Sequence, residues 1–213
     1  MEKIVLVGAG GHALSVIDSI HAAGKYEIVG ITALDYIGKK LLGYEILGTD
    51  AVLQSVFESG IKHAFIAVGS IGNPALRENL FFRLKRQGFI LPAIIDPSAT
   101  IGSDVRLSEG IYAGRNTIIN AKSAIGDMAI INTGAILEHN CRMQEFTHIG
   151  PGAVICGDVN IGARTHIGAN ATVIQGVTIG DDCLIGAGSV VVRDVQDKVV
   201  AYGNPCKAAR KNA

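Results

Sequence analysis

INTGAILEHNCRMQEFTHIGPGAVI, residues 131–155, carries a large apolar residue at every sixth position: Ile131, Leu137, Met143, Ile149 and Ile155. Four residues after each comes a small one: Ala135, Cys141, Thr147, Ala153. Extended in both directions, the large row runs unbroken from Ile95 to Val191, and fifteen of its seventeen members are Ile, Leu or Val. The small row, Ala99 to Val195, contains only Ala, Val, Ile, Thr, Ser and Cys. Residues 95–196 therefore read as seventeen consecutive hexapeptides.

A period of six fits neither a heptad nor an amphipathic helix. It fits short strands separated by bends, each hexad turning one large and one small side chain inward, which is the pattern of a parallel β-helix whose coils bury one another's apolar rows. The residue after the large position is Gly in eight hexads, and the expectation is that these glycines sit where the backbone turns.

The first 94 residues have a different character. IVLVGAG is a short apolar strand running into glycines, and HALSVIDSIHAAG has helical spacing and a stop at Gly24. YEIVGIT and HAFIAVGS read as strands, and ALRENLFFRLKRQG as a helix ending at Gly88. Alternating strands and helices predict a small Rossmann-like α/β domain with a parallel sheet. GAGGHA fits G-x-G-x-x-A between a strand and a helix, a geometry that turns backbone N–H groups toward a pyrophosphate. Asp35, at the end of the second strand, is placed to meet a ribose or a base. The division expected is 1–94 for the α/β domain, 95–196 for the β-helix and 197–213 for a terminal cap.

Composition limits the partners. Lys+Arg and Asp+Glu are equal at 19, which argues against nucleic acid and against a polybasic membrane anchor. No apolar run is long enough for membrane insertion. The four cysteines lack metal-ligand spacing and read as reduced thiols in a cytoplasmic protein.

GAGGHA followed by hexapeptide repeats resembles, over essentially the whole chain, the NeuD-type and bacillosamine-pathway nucleotide-sugar acetyltransferases. The resemblance implies a left-handed β-helix, a homotrimer with intersubunit active sites, acetyl-CoA as co-substrate and no metal. It implies that Gly8, Gly10, Gly11 and His12 line the diphosphate and that Asp35 reaches the base or ribose. The family often has a second acid where this chain has Tyr36. Arg77, near Asn73, matches a polar helix start beside the nucleotide, and Asn132 a position near the acceptor sugar. INTGAILEHNC matches the segment with the general base, which makes His139 that base. The usual acid after it is Asn140 here, which leaves Glu138 or Glu145 to supply the charge. Gly157 is expected to offer its N–H to the oxyanion. Ala169, Ala187 and Lys207 are expected to meet acetyl-CoA, and His148 to meet acetyl-CoA or the acceptor sugar.

His139 and His148 stand half a coil apart, on opposite sides of one prism, so they can share a site only between subunits. His166 should stack on His148. The reaction implied is N-acetylation of a nucleotide-linked amino sugar, a UDP-4-amino-4,6-dideoxyhexose first, with uracil or guanine left open as the base, by direct attack of the amine on the thioester. The alternatives are O-acetylation of sialic acid or another sugar hydroxyl, and a non-catalytic nucleotide-sugar sensor or scaffold.

Overall fold

The computed structural model describes residues 1–35 and 37–212. Tyr36 lies outside them. Strand β1 (Glu2–Val7) enters helix α1 (Gly11–Ala23), which stops where Gly24 takes a left-handed conformation and returns its N–H to the Ile20 carbonyl. Strand β2 (Tyr26–Thr32) follows. The segment between β2 and the next predicted strand, which the sequence left unassigned, forms the hairpin β3 (Lys40–Leu41) and β4 (Tyr44–Gly48), a 3₁₀ turn at Asp50–Val52 and the short helix α2 (Leu53–Glu58). Strand β5 (His63–Ile66) and helix α3 (Ala75–Gln87) complete the domain. The sheet order is β3-β4-β2-β1-β5, parallel except at the short β3 edge. The sequence predicted an all-parallel sheet, and the hairpin makes it mixed. It did so because a two-residue edge strand carries too little periodic signal to register.

From Ile94 onward the chain winds into two-residue strands that form three separate parallel sheets. Each strand pairs with the strand eighteen residues on, as Ile118 does with Ile136 and His148 with His166. The result is a triangular prism. Its first face carries Ile94, Tyr112, Ile130, His148, His166 and Leu184 outward, its second face Ile118, Ile136 and Val154, its third Arg106, Arg142 and Asn160. The interior is the large row together with the small row, nearly all of it fully buried. Hydroxyls within the small row stay satisfied: Thr117, Ser123, Thr147 and Thr165 each donate to a main-chain carbonyl. Val199–Tyr202 adds one more parallel strand to the first face, and Lys207–Lys211 closes it antiparallel.

The glycines of the repeat do a different job from the one expected. In every hexad but the first and last the left-handed turn residue is the fourth, and it is usually not glycine: Asp104, Asn116, Lys122, Met128, Asn140, Phe146, Asp158, Arg164, Asn170 and Asp182 all have φ between 54° and 62°. Many are Asn or Asp, the residues that best tolerate this conformation. The second-position glycines have ordinary φ but touch the next coil. A Cβ on Gly102, Gly126 or Gly150 would lie 2.7, 2.6 or 2.8 Å from the backbone nitrogen of Ala121, Glu145 or Ala169. They are there for coil-to-coil approach, not for turning.

The α/β domain covers the first face of the prism. Ile94, Tyr112 and Ile130 pack with Val16, Ile17 and Ile20 of α1, while Met128 and Phe146 pack with Leu80, Phe81 and Leu84 of α3. Asp96 holds the seam. Its carboxylate accepts from Ser19 at 2.7 Å and Ser98 at 2.6 Å and lies 3.7 Å from Arg115. Burial pushes its pKa up, but these donors outweigh burial and hold it below the usual carboxylate range. A second clamp joins Arg164 to Asp182 through bonds of 2.6 and 3.0 Å, with Glu78 of α3 at 3.9 Å.

Three histidines meet at this junction, His148 and His166 buried and His12 half-buried. His148 Nδ1 meets the Ser70 carbonyl at 2.7 Å, and the His166 ring packs edge-on against His148 at 4.7 Å between centroids. His12 packs edge-on against Tyr112. Burial lowers the pKa of His148 to about 3, with His166 adding to the effect, and lowers His166 to about 4. Burial, then Arg77, brings His12 to about 4. These rings are therefore neutral in the folded chain throughout the physiological range.

Two outcomes follow for stability. Gly126→Ala should cost ~1–3 kcal/mol in urea denaturation because backbone must move to admit the methyl, whereas Gly188→Asn, with φ of 66° and open space around it, should stay within ~1 kcal/mol. Acid should also destabilise the fold. As pH falls below ~6.5 the unfolded histidines bind protons that the folded ones refuse until near pH 4, so stability drops by ~1.4 kcal/mol per unit for each ring. Thermal melts at pH 7.5 and 5 should show this, and His166→Asn should flatten the dependence. A pH-independent melting temperature would contradict it.

Candidate active site

The turn after β1 is built for close approach. Gly8 has φ of 106°, and a Cβ there would collide with Val68 of the strand–loop after β5. Gly10 is the N-cap of α1 and has no side-chain cap, so the first N–H groups of the helix face an adjoining cavity. That cavity, about 570 Å³, is lined by Gly8, Gly10, Gly11, His12, Ser70 and, from the prism, Asn132 and His148. A second cavity of about 250 Å³ begins at the same glycines and runs over the sheet edge past Asp35, Asp50, Leu34 and Leu76. The five residues expected around a nucleotide, Gly8, Gly10, Gly11, His12 and Asp35, thus line this groove of two adjoining cavities that share Gly8 and Gly10.

Arg77 was expected in that groove and is not there. It is 1 % exposed, turned into the junction with Leu80, Phe81 and Leu84 of the same helix face, and it donates through Nη2 to the Met128 carbonyl. Its spacing in α3 put it on the buried face, and burial lowers its pKa to about 10. Asn73 lies outside the groove as well and accepts from the Ala75 N–H at 2.9 Å, a local cap on α3. His148, expected to meet the acetyl donor or the acceptor sugar, stands in its own chain on the nucleotide side. Its Nε2 is 3.3 Å from Asn132 Nδ2, which brings the expected acceptor residue and this histidine together.

His139 lies elsewhere. Ile136–Leu137 is on the second face and Arg142–Met143 on the third, so His139 occupies the prism edge opposite the face that the α/β domain covers. The ring is exposed and leans over Gly157, one coil up: a Cβ on Gly157 would be 2.6 Å from His139 Cε1 and 2.7 Å from Nε2. Only glycine admits the imidazole in this pose. Among the described residues the Gly157 N–H donates to no protein acceptor and so is free to meet an oxyanion.

Neither Glu138 nor Glu145 makes a side-chain hydrogen bond to His139 among the described residues. Asn140 Nδ2 lies 3.4 Å from His139 Nδ1 and donates to Asp158 Oδ1 at 3.1 Å. Asp158 was missed, although coil arithmetic could have found it, since it stacks directly on Asn140 eighteen residues later. Ala169 and Ala187 share a third location, the edge between the first and second faces, with Ala187 exposed. Lys207 is exposed on the terminal strand. Among the described residues no three His, Cys, Asp or Glu side chains converge as a metal-binding group, and no helix is long and apolar enough to cross a membrane.

Comparison with known proteins agrees with both halves of this geometry. Residues 3–84 match the family model described as PglD N-terminal domain, and residues 140–175 and 158–193 match that of the bacterial transferase hexapeptide (six repeats). A perosamine N-acetyltransferase from Caulobacter crescentus, solved as a histidine-to-asparagine mutant with CoA and GDP-perosamine, is 39% identical, with 99% of this chain and 98% of that one covered and a TM-score of 0.92. The acetyltransferase domain of PglB from Neisseria gonorrhoeae FA1090, in complex with acetyl coenzyme A, is 32% identical, with 98% and 99% covered and a TM-score of 0.91. WeeI from Acinetobacter baumannii AYE, 23% identical over 98% of this chain and 100% of that one at a TM-score of 0.87, shares the fold. A glycine-turn α/β domain locked onto a left-handed hexapeptide prism, matched end to end at this identity, places the chain in the NeuD/PglD-type family of hexapeptide-repeat acetyltransferases.

Proposed function

We propose that the protein is a cytoplasmic, acetyl-CoA-dependent N-acetyltransferase that acts on the amine of a nucleotide-linked 4-amino-4,6-dideoxyhexose. The observation that carries this reading is the pose of His139 over Gly157, an exposed imidazole beside a free main-chain N–H. The N–H groups of the glycine turn and the start of α1 hold the diphosphate. Asp35 binds the ribose, and Asn132 and His148 meet the sugar where the groove reaches the prism. Ala169 and Ala187 offer main-chain contacts to the pantetheine arm, and Lys207 meets a phosphate of the donor.

In the reaction the amine attacks the thioester carbonyl and forms the C–N bond. The His139 imidazole takes the proton that the nitrogen sheds. The Gly157 N–H meets the oxyanion. Collapse breaks the C–S bond, and CoA leaves as the thiol once the proton returns from the imidazole to sulfur. Asp158 holds the Asn140 amide that orients the His139 ring, so both are positioning residues.

The groove opens on the first face and His139 stands on the opposite edge, a separation of roughly one prism side, about 15–20 Å at the usual rise per residue. The acceptor amine in one chain's groove therefore meets His139 of a neighbouring chain, and we assign the active assembly as a homotrimer. The outward row of the second face, Ile118, Ile136 and Val154, is aliphatic and half-buried, which suits such packing.

Thiol release from acetyl-CoA should appear with one member of a panel of nucleotide 4-amino sugars, and the product should be an amide. His139→Ala should lower kcat by ~10²–10⁴ with little change in KM, and Asp158→Asn should lower it by less. An ester product, or full activity in His139→Ala, would overturn the reading. Co-expression of His139→Ala with Gly11→Asp, each inactive alone, should restore about a quarter of wild-type sites if every site is shared between neighbours. No recovery in mixed assemblies would place each site within one chain.

A further inference from the structure

The smaller cavity has a chemistry of its own. Its side-chain polar groups are Thr32, Asp35 and Asp50; the rest of its lining is glycine or apolar. The Thr32 hydroxyl is already committed, donating to Asp50 Oδ1 at 2.6 Å. Among the described residues the side chains thus offer the cavity two carboxylates, which only accept, and no N–H. Leu34 and Leu76, among the most exposed large apolar side chains of the chain at 78% and 57%, line it as well. A flat ring system entering here would cover both.

Asp50 is held firmly. It begins the 3₁₀ turn Asp50–Val52, its main-chain oxygen accepts from Arg83 Nη2 of α3 at 2.8 Å, and Thr32 fixes the carboxylate from β2. Three elements therefore aim one acceptor, with Oδ2 uncommitted among the described residues. Asp35 sits nearer the glycine turn in sequence and serves the ribose in the reading above.

We propose that this cavity reads guanine and that Asp50 is the specificity-determining residue. The inference rests on the nucleotide-sugar reading above and narrows the choice between uracil and guanine that the sequence left open. The reason lies in the edges of the bases. Guanine presents two adjacent donors, N1–H and the 2-amino group, which one carboxylate accepts together. Uracil presents a single N–H flanked by two carbonyl oxygens, so a carboxylate facing it gains one bond and meets two like partial charges. Adenine and cytosine each set a ring-nitrogen acceptor beside their amino group. A fixed carboxylate therefore favours guanine, which offers it two adjacent donors, where every other base sets an acceptor beside its single donor group.

Calorimetric titration of the full chain with GDP, inosine diphosphate and UDP tests this. GDP should bind roughly ten- to a hundredfold tighter than UDP, the effect of hydrogen bonds to a charged group. Inosine diphosphate, which lacks only the 2-amino group, should fall between them. Asp50→Asn should remove most of the GDP preference and leave UDP binding little changed. Equal binding of GDP and inosine diphosphate by the unsubstituted protein would overturn the assignment, and that comparison does not depend on the variant folding. A uniform loss for all three nucleotides in a folded Asp50→Asn would also overturn it, since that is how a ribose ligand behaves. Tight UDP and weak GDP binding would sink the guanine assignment and leave the nucleotide-sugar reading standing. Binding of none of the three would sink both.

Discussion

Stacking of one coil directly on the next governs this molecule. A two-residue strand has almost no stability of its own, so every strand here depends on hydrogen bonds to the coils above and below. The contact is close enough that main chain meets main chain at the bends, which is why glycine recurs at the second position of the hexad. The fourth position bears the backbone strain instead, and its N–H recovers part of that cost by reaching the preceding coil, as Asn140 does to Ala121 and Asp158 to His139. Position four can therefore be Asp, Asn, Lys, Arg, Met or Phe, but position two, where glycine stands, cannot take a side chain without displacing the neighbouring coil.

The same stacking builds the site. Residues eighteen apart are vertical neighbours, so chemistry is assembled by adding coils. His139 lies below Gly157, Asn140 below Asp158, His148 below His166. Each pair is held by the main-chain ladder, not by the packing of a mobile loop. An imidazole leaning on a glycine Cα has little freedom to turn away, and such preorganisation is what proton transfer and oxyanion stabilisation require.

The α/β domain takes one face of the prism and so decides what that face can do. Outward residues that would be solvated on a bare prism, Tyr112, Ile130, His148 and His166, become junction residues. Burial holds the histidines neutral, which leaves them as hydrogen-bonding groups and not as charges opposite a diphosphate. Covering this face also sends the edge that bears His139 to the far side. The groove and His139 stand on opposite sides of one chain, and the oligomeric proposal grows from that geometry.

The sequence by itself determined the prism, its phase and its length, because a period of six held over seventeen hexads leaves no other way to bury Ile131, Leu137 and Met143 together. It determined the glycine turn and the two long helices, whose stops at Gly24 and Gly88 are local events. It also singled out His139 and Gly157 through the segments around them. It did not reveal the role of the second-position glycines, the turn of Arg77 into the junction, the carboxylate of Asp158 behind Asn140, or the place of Asp50 beside Asp35. Those depend on which coil lies above which and on which face the first domain covers. These are contacts between residues far apart in the chain, and no local pattern of spacing encodes them; only the folded chain brings Asp50 to Thr32, Arg77 to Met128 and Ser70 to His148.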